Sequence, residues 1–259
     1  MSKLYFQCDR GAAGDMISAA LMELVPDQKE TLTRLNHMGI PGTEFIYEKK
    51  EKYGIMGNAM TVKVHGKTEE DAAENLHHGH HHGHHHEQHH IHMTMGEIYK
   101  IVDSMETSVK VKEDVKNIYK ILADAESKVH GCPVSEVHFH EVGAIDAIAD
   151  ITAVCMLVEE LKPEKILASK IHVGNGTVKC AHGILPVPAP ATANILSDMP
   201  YEHGEIDGEI CTPTAAAVVK YFVDDYIENV PEEKKNNNVG IGLGKKTFSK
   251  PSYFAVWEI

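Results

Sequence analysis

The chain has 259 residues, 42% hydrophobic and 24% charged, the balance of an ordinary soluble globular protein. Its formal net charge of −13, with no basic cluster beyond the scattered "KKTFSK" at 245–250, argues against nucleic-acid or anionic-membrane partners and favours cations. Five dispersed cysteines (Cys8, Cys132, Cys155, Cys180, Cys211) without a C-x-x-C pair argue against a disulfide framework and a zinc ribbon.

There is no charged-then-apolar leader pattern and no membrane-length apolar run, so the expected location is the cytoplasm. "KLYFQC" reads as a buried strand, followed by the turn "DRGAAGD" and an amphipathic helix from "MISAALMEL". A second helix is predicted over "QKETLTRLNHMG", ended by Gly39 and Pro41. Two strands follow, the second alternating through Met60, Val62 and Val64, and a first lobe is expected to span 1–67.

Residues 68–93 are polar and histidine-saturated and read as a disordered, His-rich linker. From 94 to 259 a main α/β domain is predicted. Ile98, Ile101, Val102 and Met105, then Val115, Ile118, Tyr119 and Leu122, fall at helical spacing. A helix running to Leu161, a strand at "KILASKIHV", a helix from "TPTAAAVVKYF" and a closing strand "YFAVWEI" complete the pattern. Helices alternating with strands predict an α/β fold: a mixed sheet with flanking helices, in two lobes joined by the linker.

Eleven of the 19 histidines crowd into residues 77–92: His77, His78, His80, His81, His82, His84, His85, His86, His89, His90 and His92. Imidazole is a good ligand for nickel, copper and zinc, so this run suits a metal buffer. It lacks the fixed ligand count and supporting hydrogen bonds of a catalytic site. A cloning tag is terminal and unbroken, whereas this tract is internal and interrupted by Glu87, Gln88 and Ile91.

"HFHEVGAIDAIADI" offers a more ordered arrangement. An extended "VHFHE" points His138 and His140 to one side and Phe139 to the other, with Glu141 next. A helical "IDAIADI" puts Asp146 and Asp150 one turn apart on one face. Imidazole with carboxylate suits nickel, zinc or manganese. The same spacing equally suits two strand histidines beside a helix whose aspartates offset its N-terminal dipole.

Three more segments carry two readings each. "QCDRGAAGDM" places Gly11 and Gly14 in a strand-turn-helix that suits either a phosphate at the helix start or a plain βα turn; it lacks a Walker lysine. In "CTPTAAAVV", Thr212 and Pro213 read as ordinary capping, or as a second phosphate site. In "VKCAHGILPVPAP", Pro186, Pro188 and Pro190 stiffen an extended segment that carries Cys180 and His182.

"GAAGDM", "HFHEVGAIDAIADI", "GNGTVKCAHGILPVPAPAT" and "CTPTAAA", in this order around a histidine-rich insertion, resemble the LarC family from Leu4 to the end of the chain. These are the nickel insertion proteins of nickel-pincer cofactor biosynthesis. The resemblance implies a nickel chelatase or cyclometallase of the lyase class. Its substrate would be pyridinium-3,5-bisthiocarboxylic acid mononucleotide, in which one nickel–carbon and two nickel–sulfur bonds form. It also implies dependence on CTP with a divalent metal, and delivery to an apo nickel-pincer enzyme such as lactate racemase.

On that resemblance the tract gathers nickel, and His138, His140 and Glu141 are metal ligands with Asp146 and Asp150 as further ligands or supports. A base must take the ring proton, with His182, Asp15 and Asp150 as candidates. The substrate phosphate is expected at the helix starts after Gly14 or Thr212, with Gly11 and Thr214 beside them. Relatives often carry an acidic residue in place of Gln7, a serine in place of Ala13, and a C-terminal domain associated with CTP; the chain is then the N-terminal half of a two-piece enzyme with that domain on a separate partner chain, a shortened form, or a protein restricted to handling metal. The competing reading is a nickel store or metallochaperone without catalysis of its own. A metal-dependent hydrolase is the third, and no serine–histidine or H-E-x-x-H pattern supports it.

Overall fold

The structure, a computed structural model, describes residues 2–68, 93–139, 142–180, 182–230 and 238–259. The apolar run near the start, Lys3–Gln7, forms β1 in the middle of a seven-stranded sheet. Its companions are β2 (Thr43–Lys52), β3 (Ile55–Val64), β4 (Lys165–Ala168), β5 (Asp225–Tyr226), β6 (Val239–Gly242) and β7 (Phe254–Glu258), in the order β5-β4-β1-β7-β6-β3-β2. β1 pairs in parallel with β4 and antiparallel with β7, so Tyr5 faces both Leu167 and Trp257. β6 runs antiparallel to β7 and parallel to β3, and β2 and β3 form an antiparallel hairpin.

The α/β class and the mixed sheet agree with the alternating sequence pattern. Strands from before residue 68 and from after residue 94 share this one sheet, and a single buried cluster runs through both parts. Residues 69–92, the bulk of the expected linker, lie outside the described residues.

The helices are α1 (Gly14–Leu24), α2 (Gln28–Asn36), α3 (Met95–Ser104), α4 (Val109–His130), α5 (Ile145–Leu161), α6 (Pro190–Ile195) and α7 (Pro213–Phe222). Local chemistry accounts for several ends. Thr94 and Glu97 form a reciprocal capping box before α3, Ser108 caps α4, and Gly131 closes α4 in the left-handed region. α1 is buried continuously from Gly14 to Met22 because it lies between the sheet and α5, and α4 packs on α5.

The strand expected over "KILASKIHV" is split. Ser169 turns the chain, its hydroxyl accepting from Cys8 N at 2.8 Å, and Ile171–His172 pairs instead with Tyr201–Glu202. Gln7 Oε1 accepts a hydrogen bond from Trp257 Nε1 at 3.1 Å.

Glycines set the depth at which α1 sits. A Cβ on Gly240 would lie 1.9 Å from Ala20 O, and one on Gly242 would lie 1.8 Å from Met16 O. The helix backbone therefore rests directly on the β6 backbone. At Gly244 the nearest obstacle is the flexible Met16 Sδ at 2.8 Å. On the other side of α1, a Cβ on Gly14 would meet Asp150 Cβ at 2.8 Å.

A methyl group at Gly242 cannot be absorbed by side-chain movement, so Gly242→Ala is expected to cost about 3 kcal/mol or more in urea unfolding. Gly244→Ala, which asks only a thioether to swing aside, should cost clearly less. Equal losses for the two would contradict the backbone contact.

Candidate functional site

A cleft of about 370 Å³ opens where the starts of α1, α5 and α7 meet the loop after β6. It lies beyond the carboxyl ends of the parallel strands β1 and β6, the usual ligand position in such sheets. Ala13 to Met16 come from α1 and its cap, Asp146, Ala147 and Asp150 from α5, Thr212 to Thr214 from the start of α7, and Lys245 and Lys246 from the loop after β6. Val62, Val142, Glu209 and Phe248 also line it.

Backbone bonds hold these pieces in register. Ala12 N donates to Ile210 O at 2.7 Å, and Thr212 N donates back to Ala12 O at 3.1 Å. This ties the β1–α1 turn to the strap leading into α7. Gly11 has φ +107, and a Cβ there would sit 2.7 Å from Ile210 O. It is the hinge of the turn under the cleft wall rather than part of the lining.

The start of α5 is pinned from below. Phe139 is buried and packs edge-on against Tyr119 at 5.9 Å, and the Tyr119 hydroxyl donates to Val142 O at 3.0 Å. Burial pushes the Tyr119 phenol well above its usual range, and the charges of Asp146 and Asp150 add to the effect. The phenol therefore stays protonated and keeps donating.

The cleft carries both signs of charge. Asp15, Asp146, Asp150 and Glu209 provide carboxylates, while Lys245 and Lys246 provide cations. Asp15 is buried; it accepts from Met16 N at 2.8 Å, and the backbone N–H of Lys245 also reaches it. Desolvation raises its carboxyl above the ordinary range against the opposing pull of the Lys245 ammonium and these backbone donors. The Ala13 and Ala144 caps give no side-chain hydrogen bond to α1 and α5, whereas Thr212 Oγ1 caps α7 by accepting from Ala215 N at 3.3 Å. Two helix starts with no side-chain cap and two lysines suit an anion; the carboxylates suit a cation or a proton in transit.

The fold thus gathers six residues singled out from sequence (Gly14, Asp15, Asp146, Asp150, Thr212, Thr214) around one cavity. Others lie elsewhere. His138 is exposed on the short strand His138–Phe139, paired with Met93–Thr94. His182 stands at the end of the hairpin Thr177–Cys180/Gly183–Pro186, its ring 5.2 Å from that of His130, and does not line the cleft. His140, Glu141 and the tract His77–His92 lie outside the described residues. Among the described residues, no group of three or more His, Cys, Asp or Glu side chains is placed to hold a metal ion.

Sequence reading missed Lys245, Lys246, Glu209 and Phe248. A signal existed for the lysines: they follow directly on the alternating glycines of "VGIGLG", which announce a strand under close cover.

A mixed α/β sheet with a cleft of both charges at its carboxyl edge suits a small charged ligand, and the comparisons give the family. The profile described as "Nickel insertion protein" matches residues 4–258. The chain is 41% identical over 255 residues to the pyridinium-3,5-bisthiocarboxylic acid mononucleotide nickel insertion protein of Clostridium acetobutylicum, covering 93% of this chain and 60% of that one. It is 36% identical over 262 residues to the Clostridium kluyveri protein of the same name (99% and 62% covered). Against the Staphylococcus epidermidis protein of that name the identity is 34% over 253 residues (98% and 58% covered).

The chain belongs to the nickel insertion protein family. It spans about 60% of the length of these relatives. No solved structure matches it significantly. Among the described residues, no helix is long and apolar enough to cross a membrane.

Because desolvation dominates at Asp15, the folded protein carries an unfavourable buried charge at pH values above its raised carboxyl pKa. Asp15→Asn keeps the acceptor for Met16 N and removes that charge. The variant is expected to be more resistant to urea than the parent at pH 8. Its advantage should shrink as pH falls through the raised value, where the parent carboxyl becomes neutral. A pH-independent difference between the two unfolding curves would refute this assignment.

Proposed function

We propose that this chain carries the substrate cleft of a nickel insertion protein, where a pyridinium mononucleotide exchanges a ring proton for nickel. The observation that supports this best is the convergence of Asp15, Asp146 and Asp150 with Lys245 and Lys246 in one cavity at two helix starts without side-chain caps. The names of the Clostridium and Staphylococcus relatives supply the substrate class: a ring with two thiocarboxylates and one phosphate. The lysines and the uncapped start of α1 hold the phosphate, with Thr212 and Thr214 at the start of α7 beside it. The carboxylates face the ring.

The net reaction takes a divalent nickel ion and the mononucleotide, forms one nickel–carbon and two nickel–sulfur bonds, and releases the ring proton. Nickel is a substrate here. Asp15 and Asp150 are the cleft groups suited to accept that proton, and the raised pKa of Asp15 makes it the stronger base of its type. His182 stands at its hairpin beside His130 and takes no part in this scheme.

The histidine tract acts as the nickel reservoir. The described chain on either side of it lies close in sequence to residues of the cleft lining. Val64, two residues after the cleft residue Val62, is bonded to Lys67, and Met93 pairs with Phe139, three residues before the cleft residue Val142. His138, His140 and Glu141 would receive the ion there. CTP with its divalent metal, and transfer to an apo enzyme such as lactate racemase, belong to the further length that the relatives possess.

A single-turnover assay tests the reading. The chain is mixed with nickel, CTP and the bisthiocarboxylated mononucleotide, with and without the C-terminal region of a relative, and the nickelated product is read by mass spectrometry. Asp150→Asn should lower product by about 100-fold or more while nickel bound per chain stays constant, since the tract is intact. Bound nickel without product in every mixture would identify a nickel store.

A further inference from the structure

The turn between β2 and β3 reaches across the sheet edge to the loop that carries the cleft lysines. Lys52 Nζ donates to the carbonyl oxygens of Gly244 at 2.8 Å, Lys245 at 3.1 Å and Lys246 at 2.6 Å. An ammonium has three N–H donors, and here they meet three consecutive carbonyls. Next to it, the Tyr53 hydroxyl donates to Phe248 O and accepts from Phe248 N, both at 2.6 Å. The loop 244–248 is thus gripped at both ends by two adjacent side chains.

Its other side is tied as well, because the Lys245 N–H points to the Asp15 carboxylate. Carbonyls directed to Lys52 and an amide directed to Asp15 fix the peptide planes, and with them the exit directions of the Lys245 and Lys246 side chains.

The turn itself carries an independent mark. Lys52 pairs with Ile55, leaving Tyr53 and Gly54 as a two-residue loop with φ values of +56 and +74. Such primed turns select Asn, Asp or Gly, and a bulky side chain at positive φ is an outlier. An outlier of this kind persists where the surrounding structure uses it. Tyr53 is also partly exposed, so core packing does not explain it. Its hydroxyl contacts to Phe248 do.

We propose that Lys52 and Tyr53 are positioning residues for anion binding: they clamp the 244–248 loop so that Lys245 and Lys246 face an anionic ligand in the cleft. Neither is a catalytic residue, and neither lines the cavity. The inference rests on the reading of the cleft as a mononucleotide site.

The test uses the whole chain and nicotinic acid mononucleotide, a pyridinium carboxylate with one phosphate, titrated by calorimetry at several salt concentrations. Lys52→Met and Tyr53→Phe are each expected to weaken binding by about tenfold through misplacement of the loop. Lys52→Arg, which retains N–H donors, should stay within about threefold of the parent. The salt dependence reports whether the loop lysines reach the ligand's charge. Lys246→Gln should flatten it by removing a ligand-facing charge. Lys52→Met should flatten it too, because the ligand-facing lysines are misplaced, and Lys52→Arg should restore the parent slope.

Parent-like affinity in Lys52→Met and Tyr53→Phe, with Lys246→Gln impaired, would overturn the clamp and leave the cleft reading standing. Unchanged binding in both Lys245→Gln and Lys246→Gln would sink the cleft reading itself. If Lys52→Met does not fold, Tyr53→Phe carries the test, since losing one partly exposed hydroxyl leaves the core intact.

Discussion

Helix α1 touches β6 backbone to backbone, and the geometry of the cleft depends on that contact. Three alternating glycines (Gly240, Gly242, Gly244) remove the side chains that would hold the helix away, and Gly14 does the same toward α5. With α1 pressed this deep, its first turn emerges beside the end of β6, so Asp15 lies under Lys245. A helix at ordinary distance from the sheet would leave the aspartate and the lysine loop in separate solvent-exposed positions. Close packing of small residues is therefore a functional feature here: it places a carboxyl group where desolvation changes its acidity.

The second organising element is the pair of backbone bonds joining Ala12 to Ile210 and Thr212. It connects segments about 200 residues apart. Through it the start of α7 is set beside the start of α1. The third helix start, that of α5, is held independently by Tyr119 and Phe139. Three helices thus point their positive ends at one cavity by three separate means. The acids within the cavity offset that positive field, while the lysines reinforce it.

The cysteines fall outside this arrangement. Cys8, Cys155 and Cys211 are fully buried, and desolvation drives their thiols upward. They behave as small apolar core groups rather than as thiolate ligands. This agrees with the dispersed spacing that argues against a cysteine metal site.

Features that depend on neighbours in sequence were legible without coordinates. The helical periods of α3, α4 and α5 and the one-turn spacing of Asp146 and Asp150 all arise within a single segment. So did the alternation that exposes His138 and buries Phe139. Family membership was legible too, because long motifs such as "HFHEVGAIDAIADI" are contiguous. Tertiary structure decided what depends on distant partners: β1 beside β7, Lys245 above Asp15, Lys52 on three carbonyls 192 to 194 residues away, and His182 at a hairpin with His130 rather than in the cleft. Local propensity carries no information about which remote backbone atom a side chain will meet. Here the meeting was set by how closely glycines let one helix approach one strand.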